Sequence, residues 1–285
     1  KTDIYCPMYI GYEESESYCK SNGTKPYIQC EYAHAMGNSE GGFKEYWDLI
    51  RKYPKYQGGY IWDFVDQGLR DKSPITGKEI FTYGGDYGRY PGSDYNFNCN
   101  GIIAPNRRLN PHAYEIQYVL QNVWIKDFDA ENGSFNVYNE NFFKNIDDLS
   151  LTATLFANGV KLTTVAIPDT KGIAPQATKL VKSEALKSAI EKATEEITIN
   201  FAFASDGSQP LVDKGQVMAR QQIVLNGYEF DKVDAPANTG SKIEVEETNS
   251  YVKVFAERMS VTIGKKTGMI DYLDVDGEPM LKFRE

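Results

Sequence analysis

The densest run of potential chemistry is residues 28–39, IQCEYAHAMGNS. A carboxylate, Glu31, closes an apolar stretch, and His34 follows in a loop of small residues, Ala33, Ala35 and Gly37. In a parallel α/β barrel the carboxyl ends of the strands carry the reacting groups, so Glu31 occupies a position suited to catalysis. The competing readings are an ion pair at a sheet edge for Glu31 and a satisfied structural histidine for His34. Residues 1–122 also hold 16 of the 20 Tyr, two of the three Trp and both His. That concentration is what a concave site for a polar, ring-shaped ligand needs, although aromatic-rich cores are common as well. The four cysteines, Cys6, Cys19, Cys30 and Cys99, show no CxxC or similar metal spacing. Free thiols are expected, with Cys6 and Cys30 buried in apolar, strand-like runs.

The elements that must position these groups can be read from periodicity. Residues 3–9 (DIYCPMY), 27–31 (YIQCE) and 57–65 (QGGYIWDFV) are short runs of β-formers that read as buried strands. Between the second and third, Ser39 is expected to cap a helix in which Phe43, Tyr46, Trp47 and Ile50 recur at helical spacing and which Pro54 stops. A shorter helix over 13–20, ended by Asn22-Gly23, would make the order βαβαβ and the sheet parallel. Residues 69–110 carry loop signals throughout, and a loop of that length is more often functional than idle. Residues 112–121 read as a last amphipathic helix.

After Asn122 seven short β runs follow over about 100 residues, the pattern of an Ig-like sandwich, with one helical excursion at 183–195 (SEALKSAIEKATE). Residues 231–242 (DKVDAPANTGSK) read as a linker, and four further β runs follow, with a turn at Asp276-Gly277. The chain opens KTDIYCPMY with no initiator Met and no signal peptide, and ends without a polar tail, so it reads as beginning and ending inside folds.

Composition bounds the function classes. A net charge of -9 removes the basic face that a phosphate backbone needs, so nucleic acid is not an expected partner. The mean hydropathy of -0.50, with no long apolar run, argues against a membrane span. The hydrophobic fraction of 41% can fill a core, and 285 residues correspond to roughly two domains.

Five separated motifs occur in one order: CPMY at 6–9, CEYAHAMGNSEGGFKEYW at 30–47, QGGYIWDFVDQG at 57–68, YGGDYG at 83–88 and FNCNG at 97–101. Together they closely resemble bacterial β-galactosidases of glycoside hydrolase family 2, and the likeness continues more loosely through VYNENFF at 137–143. The resemblance implies an α/β plus all-β chain. Residues 1–122 would be the C-terminal portion of a catalytic (β/α)8 TIM barrel, roughly its sixth to eighth strands. Residues 123–227 would be an Ig-like β-sandwich linking domain, 228–241 a linker, and 242–285 the first strands of a large C-terminal β-sandwich.

Residue by residue, the resemblance makes Glu31 the nucleophile of a retaining double displacement on β-D-galactosides. Tyr9 would orient it and help to position the sugar, His34 would hydrogen-bond a galactose hydroxyl, and Trp62 would wall the galactose subsite. Asn100 and the carbonyl of Phe97 would supply part of a sodium site that holds the sugar's C6 hydroxyl, since a hard cation prefers oxygen ligands. Read without the motifs, Tyr9 and Trp62 are core aromatics and Asn100 is a turn residue before Gly101. A polar sugar edge and an apolar sugar face together need this mixture of carboxylate, amide, imidazole and indole, so the aromatic concentration is expected to be the sugar-facing side of the barrel.

The resemblance also implies what lies elsewhere. The acid/base glutamate and the Mg2+ ligands would precede Lys1, and Asp63, Asp66 and Asp86 are not assigned that work. The isolated chain is therefore expected to be inactive and to associate with the rest of its own polypeptide or with itself, because three barrel strands leave open edges. Family members are often oligomeric, and reduced thiols suit the cytoplasm, with the periplasm as the other compartment. The alternative from another class is a non-catalytic carbohydrate-binding or interaction module. Another activity of the same family, β-glucuronidase, would need basic residues for a substrate carboxylate that the Glu31 and Trp62 motifs do not supply.

Overall fold

A computed structural model describes residues 2–88, 92, 94–192, 196–227 and 242–281. The chain divides into two compact units, Lys1–Gly227 and Tyr228–Glu285.

The first unit opens with a parallel α/β layer. Strand β1 (Tyr27–Tyr32) pairs in parallel with β2 (Tyr56–Ile61), and residues 5–8 lie parallel along the other edge of β1 through bridges at Tyr5 and Met8. That first run is interrupted where Pro7 has no N–H to give. Helix α1 (Tyr12–Lys20) connects the edge run to β1, and α2 (Phe43–Lys52) connects β1 to β2. The βαβαβ order follows, since parallel neighbours need crossovers.

The helix starts differ in detail from expectation. Ser39 does not cap α2: its hydroxyl donates to the carbonyls of His34 and Met36, each at 2.6 Å. The N-cap is Gly42, in the left-handed region at φ 75°, where a Cβ would collide with the Tyr12 hydroxyl. The loop-like stretch contains a short hairpin, β3 (Leu69–Lys72) with β4 (Glu79–Thr82). Helix α3 (Pro111–Val119) follows, with proline in its first turn.

Tyrosines build the core between this sheet and its helices. Tyr27 and Tyr56 are fully buried and stacked at 4.3 Å, with Tyr5 and Tyr18 against them. Their hydroxyls are satisfied by Ser15 at 2.7 Å and by Gln29 at 2.8 Å, as buried phenols require. Tyr32 is also buried, its ring tilted against Phe43 and edge-on to Tyr46, and its hydroxyl accepts from the Trp47 indole. Much of the tyrosine concentration therefore serves packing under the helices, which corrects its assignment to a sugar-facing surface. The cysteine expectation is also corrected. Cys6 is exposed and Cys30 half-buried, while Cys19 on α1 is the buried one, because residues 6 and 30 lie on the sheet face that the helices do not cover.

Residues 123–227 form two antiparallel sheets around one core. One has the order β5 (Val123–Asp129), β6 (Ser134–Asn139), β9 (Thr178–Lys182); the other has the order β11 (Val217–Asn226), β10 (Ile197–Ser205), β7 (Leu149–Ala157), β8 (Val160–Ile167). Alternating inward residues, among them Phe135, Val137, Leu151, Leu155, Ile199 and Phe201, meet in the middle. The helical excursion is α4 (Glu184–Ile190), capped by Ser183, with Leu186 plugged into this core. Arg51 of α2 ties the layers together. Its guanidinium lies between the rings of Trp47 and Trp124, at 5.3 and 4.9 Å, and pairs with both carboxylate oxygens of Glu140.

The second unit, over its described residues, is an antiparallel meander of five strands: β12 (Glu244–Glu247), β13 (Tyr251–Ala256), β14 (Met259–Gly264), β15 (Ile270–Val275) and β16 (Glu278–Pro279). The turn at Asp276-Gly277 has positive φ at both residues, as expected of a two-residue hairpin loop. The linker expected at 228–241 lies outside the described residues. No helix among the described residues is long and apolar enough to cross a membrane.

Candidate active site

Glu31 stands near the carboxyl end of β1, half-buried, at the register irregularity between Gln29 and Tyr32 and bridged to Met8 of the neighbouring run. Tyr9 reaches it from the neighbouring run. Its backbone, at φ 51°, donates to the Glu31 carbonyl at 2.9 Å. Burial, then a hydrogen bond to the Glu31 side chain and the field of that carboxylate, push the Tyr9 phenol up to about 12. Burial and the adjacent carboxylate both favour the protonated phenol.

His34 follows in the loop after β1, its ring 6.1 Å from the Tyr9 ring and 5.7 Å from that of Phe97. Trp62 leaves the end of β2 and is tied to the same loop by its backbone: its N–H donates to Tyr32 at 3.2 Å and its carbonyl accepts from Ala35 at 2.9 Å. Glu31, Tyr9, His34 and Phe97 thus form one contiguous group, with Trp62 anchored beside it through the main chain.

The 97–101 segment is held against the strand that leaves Trp62. The Asp63 amide donates to the Asn100 carbonyl at 2.9 Å, and the Gly101 amide to the Asp66 carboxylate at 2.8 Å. Gly101 runs so close to residues 65–66 that a Cβ there would lie 2.2 Å from the Asp66 nitrogen. Asn100 is 1% exposed; its amide nitrogen donates to the Phe97 carbonyl, while its Oδ1 is buried without a hydrogen bond. The orphaned amide oxygen is a neutral oxygen of the kind a hard-cation shell uses, while the Phe97 carbonyl here faces the Asn100 amide nitrogen. Among the described residues no group of three or more His, Cys, Asp or Glu side chains could hold a metal ion.

Two carboxylates were not singled out as site groups by spacing alone. Asp63 accepts from the Gln67 amide at 2.7 Å with one oxygen, leaves the other buried and unpaired, and adds to the field on Tyr9. Its place in WDFVDQG, four residues before Gln67, was the available signal. Burial also raises Asp66, while the Gly101 amide acts in the opposite direction.

Glu40 lies in the same loop as His34 and is 8% exposed, with neither oxygen hydrogen-bonded. Burial, reinforced by Glu115, pushes its carboxyl up to about 7. Between the ordinary value of 4.5 and about 7 the folded chain keeps a proton that the unfolded chain has lost. Stability should therefore fall as pH rises through that window and level off above it, a loss of about 3 kcal/mol. Glu40→Gln should flatten the dependence and raise the urea midpoint at pH 8; a variant that keeps the wild-type pH profile would uncouple Glu40 from folding.

A carboxylate near the end of a parallel strand, with a phenol and an imidazole beside it, is thus followed in the chain by an antiparallel two-sheet unit. Residues 1–125 match the family described as glycosyl hydrolases family 2, TIM barrel domain, and residues 135–226 match beta-galactosidase, domain 4. The chain belongs to glycosyl hydrolase family 2. Within it the similarity is to proteins named beta-galactosidase. That of Halalkalibacterium halodurans is 32% identical over 281 residues, 99% of this chain and 27% of the relative. That of Leuconostoc mesenteroides is 33% identical over 241 residues, 79% and 22% of the two chains, and that of Clostridium acetobutylicum 45% over 144 residues, 50% and 16%. The chain thus spans about a quarter, or less, of these relatives' lengths.

Proposed function

We propose that this chain supplies the nucleophile half of a retaining β-galactosidase. In this reading residues 1–122 close a catalytic (β/α)8 barrel, 123–227 form an Ig-like linking sandwich, 228–241 connect it onward, and 242–285 begin a further β-sandwich. The observation that carries it is Glu31 at the end of β1 with the Tyr9 phenol against it, inside the segment matched to the family's TIM barrel domain.

The chemistry follows from those two groups. Glu31, ionised, attacks the anomeric carbon of a terminal β-galactoside while the leaving oxygen departs with a proton from a second carboxyl, and water later releases the sugar. Tyr9 donates to one carboxylate oxygen, which holds the group's orientation for attack by the other. The His34 ring presents a nitrogen to a sugar hydroxyl, and Trp62 offers an apolar wall to the C–H face. Asn100 Oδ1 and the Phe97 carbonyl would hold a sodium ion, which supplies a positive centre for a sugar hydroxyl. The Mg2+ expected for the family would be held by residues outside this chain.

A retaining glycosidase needs its two carboxyl groups only about 5 Å apart. Asp63 is engaged by Gln67 and Asp66 by the Gly101 amide, so neither is proposed as the acid/base partner. The isolated chain should not turn over a chromogenic β-galactoside, whereas a polypeptide of the relatives' full length that contains it should. Clear turnover by the purified 285-residue chain, abolished by Glu31→Gln, would refute the division of labour. A full-length polypeptide that leaves β-galactosides intact would refute the substrate.

A further inference from the structure

Gly101 is held from both sides by side chains. Its N–H donates to Asp66 Oδ1 at 2.8 Å, and its carbonyl accepts from Asn110 Nδ2 at 2.9 Å. The acid can only accept and the amide nitrogen can only donate, so each side chain matches the group it meets. Main-chain bonds grip the same segment. The Asp63 amide donates to the Asn100 carbonyl at 2.9 Å and the Gln67 amide to the Asn98 carbonyl at 3.0 Å, while the Ile102 amide donates back to the Asp63 carbonyl at 3.0 Å. Among the described residues, 97–101 belong to no helix or strand, so these bonds take the place of a ladder. Every contact named joins residues 63–67, 97–102 or 110, and the grip is complete within this chain. What it carries is chemical: the Phe97 ring lies 5.7 Å from that of His34, and buried Asn100 keeps Oδ1 without a partner.

We propose, resting on the β-galactosidase reading above, that Asp66 and Asn110 are positioning residues that set selectivity for the sugar's C6 hydroxyl. Neither is assigned a contact with the sugar. They fix Gly101, and through it the adjoining Asn100, whose Oδ1 is assigned with the Phe97 carbonyl to that hydroxyl. The bond to Asp66 is charge-assisted when the acid is ionised, which makes it the stronger of the two holds. Loss of either lets the segment drift, and a displacement of about 1 Å costs up to about a hundredfold in rate. That loss falls on a substrate that uses the hydroxyl and spares one that lacks it, because selectivity is a difference between the two transition states.

In a polypeptide of the relatives' full length, Asp66→Ala should lower kcat/KM for p-nitrophenyl β-D-galactoside by about thirtyfold, and for the 6-deoxy analogue, p-nitrophenyl β-D-fucoside, by no more than about threefold. Asp66→Asn, which keeps an oxygen acceptor, should restore most of the preference between the two sugars; Asn110→Asp, which turns the donor into an acceptor, should lose it. In the 285-residue chain, Asp66→Ala should speed amide exchange at Gly101 by about tenfold or more, with exchange at Phe201 in the sandwich core unchanged. If that variant fails to fold, a scalar coupling across the hydrogen bond, from the Gly101 nitrogen to the Asp66 carboxyl carbon in the unsubstituted chain, decides whether the hold exists. Equal losses on both sugars, unchanged exchange at Gly101 or absence of the coupling would overturn the proposal. Failure of the galactosidase reading looks different: the unsubstituted full-length polypeptide would spare both sugars while Gly101 exchange still answered to Asp66, which removes the selectivity claim together with its substrate.

Discussion

Glu31→Gln, introduced into a full-length polypeptide that carries this segment, should lower kcat for an activated galactoside by about four orders of magnitude or more. The amide keeps the shape of the carboxylate but has no charge with which to attack the anomeric carbon, so the first displacement stops. Substrate affinity should change far less, because the groups proposed to hold the sugar, His34 and Trp62, are untouched. The same substitution has a signature that needs no activity. Tyr9 is held near 12 by burial, by its hydrogen bond to Glu31 and by that residue's charge. With the charge gone, only part of that shift survives, and the phenol should titrate lower in tyrosine-resolved NMR of the 285-residue chain. Retention of more than a hundredth of the activity would remove Glu31 from the nucleophile role; an unmoved Tyr9 resonance would separate the phenol from the carboxylate.

Gly101→Ala should be the most damaging single change in the site region, costing about 3 kcal/mol by overpacking. The added Cβ would stand 2.2 Å from the Asp66 nitrogen and 2.4 Å from the Val65 carbonyl carbon. Both are main-chain atoms, which cannot swing aside as the tip of a side chain can. Relief requires residues 97–101 to lift, which breaks the Gly101 to Asp66 hydrogen bond and the Asp63 to Asn100 pairing. The expected readouts are a lower urea midpoint and faster amide exchange at Asp63 and Ile102, whose N–H groups point into this pairing. Unchanged exchange at both would mean that the segment accommodates a methyl group and that the close approach is not required.

Much of the α/β layer was legible because its signals are local. Phe43, Tyr46, Trp47 and Ile50 recur at helical spacing, and α2 covers all four. Its start was misread because Ser39 has the composition of a cap, whereas the turn that begins the helix depends on Gly42 in the left-handed region. Residues 3–9 read as a strand but form only isolated bridges to β1, at Tyr5 and Met8, since Pro7 removes a donor from an otherwise hydrogen-bonded run. The seven runs after Asn122 were readable from alternation, but alternation is silent on neighbours, and β9 joins β6 across a long stretch of chain.

The candidate site shows the same division. Glu31 at a strand end, with His34 in the following loop, was readable from residue order. Glu40 was not: in GNSEGG it looks like an acid in a polar loop, and only packing makes it a buried carboxyl without a partner. The cysteines failed similarly, because an apolar run marks a strand without saying which of its faces is covered.

What the sequence determined by itself is what acts over a few residues: the order of strands and helices, the carboxylate at the end of β1, and the motif string that places the chain in its family. What only the tertiary structure decided is what depends on which surfaces meet. It turned Tyr27, Tyr32 and Tyr56 into a hydrogen-bonded core, brought the Tyr9 phenol to Glu31, pressed Gly101 onto residues 65–66, and left Cys6 exposed while Cys19 is buried. The physical reason is that local propensity sets dihedral angles, whereas burial, pKa and hydrogen-bond satisfaction are set by neighbours distant in the chain.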